Sequence, residues 1–102
     1  MNILAEKHTG MGEKWVLVQY EDDSFAYGFE HDLHMGFPID QRGTRKEVLS
    51  HCKLIAELCK KNIANYQKVL ERKPNSEGWR FLIEYEQKEL DMLTEFASIL
   101  SN

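Results

Sequence analysis

Residues 44–73 constrain this chain more tightly than any other stretch. Thr44-Arg45-Lys46-Glu47 has the form of a capping box, in which Thr44 and Glu47 satisfy each other's free backbone N–H groups. Behind it, Val48, Cys52, Ile55, Cys59, Tyr66 and Val69 recur at spacings of three, four and seven, and Leu49, Ala56, Ile63 and Leu70 run beside them. On a 3.6-residue wheel these positions merge into one broad apolar stripe, which only an α-helix aligns. Pro74 ends it, because proline has no N–H for the ladder and pushes the preceding residue out of helical geometry.

After Pro74, Asn75 or Ser76 is placed to cap a second helix over residues 75–100. Trp79, Leu82, Ile83, Leu90, Leu93, Ala97 and Leu100 make one stripe, and Phe81, Tyr85, Met92, Phe96 and Ile99 make a second beside it. A helix apolar over half its circumference needs two neighbours. One is the first helix, since so short a connection forces an antiparallel hairpin. The other is a sheet or another copy of the chain. A turn near residue 74 sets Tyr66 near Leu82, Ile55 near Leu93 and Val48 near Leu100. It also sets Asn62 opposite Glu86, two polar residues within apolar stripes. A buried polar group without a partner costs about 1–3 kcal/mol, so the pair is expected to bond to each other or to Tyr66.

The first 30 residues read as β-structure. Lys14–Tyr20 is rich in β-branched and aromatic residues, Glu21–Ser24 supplies a turn, and Phe25, Tyr27 and Phe29 then alternate on one face. Residues 1–7 are expected as a third strand, because a lone hairpin is marginal in water. Gly28 is expected to mark a bulge or a close backbone approach. Residues 31–43 are expected as an ordered loop, since Gly and Pro alternate there with Leu33, Met35, Phe37 and Ile39. The fold class is therefore α+β: a small antiparallel sheet, an ordered loop and a long two-helix hairpin in a single domain of 102 residues.

Charge is unevenly spread. Residues 1–44 hold three Lys/Arg against eight Asp/Glu, residues 45–73 eight against three, and residues 74–102 two against six. A basic helix between acidic segments points first to internal complementarity. Lys46, Lys53, Lys60, Lys61 and Lys68 make a stripe that offers a route to nucleic acid, but the chain is acidic overall and no aromatic interleaves the lysines for base stacking. The start of the chain lacks the basic and apolar regions of a secretion signal, and no apolar run is long enough to span a bilayer. Cys52 and Cys59 stand two helical turns apart, roughly 10 Å, too far for a disulfide. Reduced core thiols and a cytoplasmic location are the expectation.

Candidate chemistry is sparse. Glu30-His31-Asp32-Leu33-His34 is the densest run of ligand-type residues; in an extended chain Asp32 and His34 share a face and, with His31, begin a metal site. It matches no strong metal signature, and the chain lacks a nucleophile elbow, a phosphate loop and a dinucleotide fingerprint. No cofactor is called for. The leading expectation is a non-enzymatic protein-interaction module (an adaptor, assembly factor or inhibitor of a larger protein) acting through Leu33, Met35, Phe37, Ile39 and the acidic Asp22 and Asp23. A homodimer is a further possibility for the second helix. The alternatives are a metal-binding domain or enzyme centred on residues 30–34, and nucleic-acid binding through the lysine stripe.

Overall fold

In a computed structural model, which describes residues 1–35 and 42–102, the chain forms three strands followed by three helices. Strands β1 (Asn2–His8), β2 (Lys14–Gln19) and β3 (Phe25–Phe29) make an antiparallel meander in the order β1-β2-β3, so residues 1–7 do supply the third strand. Gly10 and Gly12 take positive φ in the β1–β2 turn, where a side chain would be strained. The bulge expected at Gly28 lies instead in β1, between Ile3 and Ala5; Gly28 pairs regularly with Val16. Gly43 exchanges two backbone hydrogen bonds with Phe25, of 2.8 and 3.0 Å, and so pins the chain to the free edge of β3 just before the long helices begin.

The sheet is buried on both faces. Trp15 and Leu17 join Phe25, Tyr27 and Phe29 against the helices, while Val16, Val18 and Ala26 face the other way and receive Tyr20 and Leu33. Leu33 belongs to α1 (Glu30–His34), a single helical turn where the sequence reading expects loop. Glu30 and Asp32 in its first turn suit the positive end of the helix dipole.

Helix α2 (Arg45–Arg72) starts on the expected box: the Glu47 N–H donates to Thr44 Oγ1 at 3.2 Å, and the Thr44 N–H donates to Glu47 Oε1 at 3.0 Å. Helix α3 (Glu77–Ser101) has Ser76 at its N-cap, but that hydroxyl makes no capping bond; the Arg80 guanidinium reaches back to the Pro74 carbonyl instead. The two helices pack antiparallel. The second apolar stripe of α3 meets the sheet, with Tyr27 on Phe96 at 6.4 Å and Trp15 on Tyr85 at 5.9 Å between ring centroids. Arg45 closes the far end of the hairpin by donating to the carbonyls of Ile99, Leu100 and Asn102 while lying over the Phe25 ring. A cation on unsatisfied C-terminal carbonyls also complements the helix dipole.

Sheet and helices share a core of Trp15, Leu17, Phe25, Val48, Cys52, Cys59, Met92, Leu93, Phe96 and Leu100. Phe96 is fully buried at its centre, so Phe96→Ala should cost about 3–5 kcal/mol in denaturant unfolding, whereas Phe81→Ala, half-exposed one end of the helix away, should stay within about 0.5 kcal/mol. The Glu47 carboxyl sits below its ordinary value of 4.5 because it accepts from Thr44. Its contribution is present above that value and is lost as pH falls through the depressed folded one. Glu47→Gln should therefore lower Tm at neutral pH by an amount that shrinks in acid; a deficit independent of pH would remove this assignment.

Candidate functional site

The residues expected to meet a partner are scattered by the fold. Asp22 accepts from both the N–H and the hydroxyl of Ser24, which holds its carboxyl below the usual range. Asp23 takes φ 64° and accepts from Gln19 Nε2 at 3.2 Å, so both aspartates build the β2–β3 turn. Leu33 packs on the outer face of the sheet, Met35 is 79% exposed, and Phe37 and Ile39 lie outside the described residues.

Among the described residues, the Glu30–His34 cluster does not bring three metal-donor atoms together at one point. Its helical backbone turns Asp32 and His34 by about 200° relative to each other, where an extended chain would align them. Glu30 is taken up by Lys14, at 3.4 Å, and Lys14 also holds Glu6 at 3.4 Å. These carboxylates raise the Lys14 pKa, Glu30 foremost. His31 and His34 instead line a shallow cleft with His8 and Glu13. The lysines of α2 are exposed along its length, and Lys60 pairs with Glu57, one turn apart on the same helix.

Two features stand out: one the sequence pattern did not single out, and one where it marked Glu86 but not its neighbours. The first is an apolar groove of about 410 Å³ where the β1–β2 turn overhangs the start of α3, lined by Thr9, Met11, Glu13, Phe81, Leu82 and Tyr85. Thr9 is buried and organises the turn: its N–H donates to the Glu13 carbonyl, and its hydroxyl accepts from the Met11 N–H. Met11, Phe81 and Leu82 remain 60%, 49% and 39% exposed. The groove continues past Gly10 toward Glu84 and Lys88. Its origin is length. A 25-residue helix runs about 37 Å, whereas strands of five to seven residues reach roughly 17–23 Å. The sheet-facing stripe of α3 therefore outruns the sheet, and its first member, Phe81, is left half-exposed. That mismatch was available from the sequence as a ratio of element lengths.

The second is the surroundings of Glu86. Among the described residues no hydrogen bond joins it to Asn62 or Tyr66; the Tyr66 ring packs, tilted, against Trp79 at 5.4 Å between centroids. Cys59, one turn before Asn62, takes the facing place. Its Sγ and carboxylate oxygens of Glu86 and Glu89 lie within 4.8 Å of one another. Glu86 Oε2 is sealed from solvent with no hydrogen-bond partner. Burial, then the neighbouring Glu86 and Glu89, pushes the Cys59 thiol up to about 12, and burial with the charge of Glu86 raises the Glu89 pKa. Nearby, burial foremost holds the Tyr27 phenol protonated far above its ordinary range, and its Oη lies 2.8 Å from His51 Nδ1, tying β3 to α2. Cys52, pushed up to about 11 by burial, is a packed core thiol. Comparison with protein-family models, with curated proteins and with solved structures finds no match to this chain.

Proposed function

We propose that this chain is a non-enzymatic protein-interaction module, and that it seats an apolar, basic-flanked segment of another protein in the groove formed by the β1–β2 turn and the first turns of α3. The observation that carries this reading is the cluster of Met11, Phe81 and Leu82, large side chains left in solvent around one concavity on a rigid frame. Aromatic and aliphatic anchors grouped around a pocket are where binding energy concentrates. The rim decides the chemistry of the occupant. Glu13 and Glu84 border the groove against a single Lys88, and Glu77 stands at the start of the same helix. A Lys- or Arg-bearing segment complements that rim, whereas a second copy docked two-fold on the same groove would set acidic rims against each other.

Selection of a displayed random-peptide library on the purified chain tests this directly. Recovered peptides should combine large apolar residues with Lys or Arg, and their contacts should map by NMR to Met11, Phe81, Leu82 and Tyr85. Replacing Phe81 and Leu82 together with serine should weaken binding by about 30-fold or more while leaving stability nearly unchanged. Enrichment of no peptides, contacts on another face, or a dimer in light scattering that buries the groove would overturn the reading.

A further inference from the structure

The cluster of Cys59, Glu86 and Glu89 carries an inference of its own. Cys59 comes from the middle of α2, and Glu86 and Glu89 stand three residues apart on the facing side of α3, so the three donors converge across the helix seam. Cys59 is 3% exposed, and both glutamates are half-buried. Two carboxylates so placed repel, and burial favours a counter-charge. Among the described residues neither is in an ion pair; the carboxylate of α3 that has one is Glu95, with Lys7. The Cys59 thiol faces Glu86 as a hydrogen-bond donor, yet Glu86 Oε2 itself is sealed from solvent with no partner.

We propose that Cys59, Glu86 and Glu89 form a divalent-metal site, with zinc the cation that best suits one thiolate and two carboxylates. Zinc accepts sulfur and oxygen donors at about 2.3 and 2.0–2.2 Å, which sets tetrahedral donors roughly 3.5 Å apart. From their separation of at most 4.8 Å, modest rotation of the two flexible glutamate side chains reaches that geometry. Calcium is excluded by the sulfur ligand and by its need for six to eight oxygens. The thiol proton leaves to solvent as the thiolate–metal bond forms, so uptake releases a proton and weakens in acid. Both glutamates keep some exposure, which leaves the fourth position to water.

Titrating the chelator-treated full chain with zinc and with cobalt tests the site. A single equivalent should bind, and cobalt should produce a thiolate-to-metal charge-transfer absorption that Cys59→Ser abolishes and Cys52→Ser preserves. Zinc should also raise the Tm of the wild-type chain. Glu86→Gln keeps the side-chain shape and removes one buried charge, so it should fold whether or not Cys59→Ser does, and it should weaken metal binding by at least about tenfold. Absence of the absorption in the wild-type chain, its survival in Cys59→Ser, or unaltered affinity in Glu86→Gln would each overturn the assignment.

Discussion

The architecture depends on one constraint: α3 is apolar on two adjoining faces and must be covered on both. The α2 helix covers one, through Val48, Cys52 and Cys59 in one cluster with Leu93 and Leu100. The meander covers the other, through Trp15, Leu17, Tyr27 and their contacts with Tyr85, Met92 and Phe96. The sheet and the helical hairpin each bury an apolar face against the other, so the two layers share one core. Phe96 lies at the junction of all three layers. Its complete burial marks the point from which the structure loosens toward the hairpin turn.

Polar ties fix how the layers meet. Tyr27 reaches His51 from β3 to α2, Lys7 reaches Glu95 from β1 to α3, and Arg45 bonds the last carbonyls of α3 from the first turn of α2. The Arg45 contact follows from antiparallel packing, which places the open N–H end of one helix beside the open carbonyl end of the other. Most of these groups are exposed, so they set geometry more than they supply stability. The long dimension of 50 Å against 25 and 22 Å reflects the hairpin running on beyond the sheet.

Much of this fold was legible because its signals are local and redundant. The capping box, the stripe of 48–70 and the Pro74 stop agree on one helix, and the alternation of Phe25, Tyr27 and Phe29 agrees with the burial of that face. Residues 30–34 were illegible for the opposite reason. Five residues hold barely more than one helical turn, too few for periodicity to separate a helix from a loop, and a helical turn replaces the extended geometry in which Asp32 and His34 would share a face. The groove was hidden because a wheel reports which side of a helix is apolar but not how far its neighbour extends. Phe81 and Tyr85 share a stripe, yet Tyr85 packs against Trp15 while Phe81 stays half-exposed.

Glu86 shows where sequence reasoning stops by necessity. A polar residue inside an apolar stripe signals that something must answer it across the seam. Naming the respondent requires the register, and an apolar stripe built on spacings of three, four and seven is nearly indifferent to a displacement of one turn. Val48 and Leu100 stay close under either register, and Tyr66 finds Trp79 as readily as Leu82. The polar position does not share that indifference. What faces Glu86 across the seam is the Cys59 thiol, with Glu89 beside it, rather than an amide that would donate to it. Apolar periodicity places the two helices against each other but does not say which polar group of one meets Glu86 of the other.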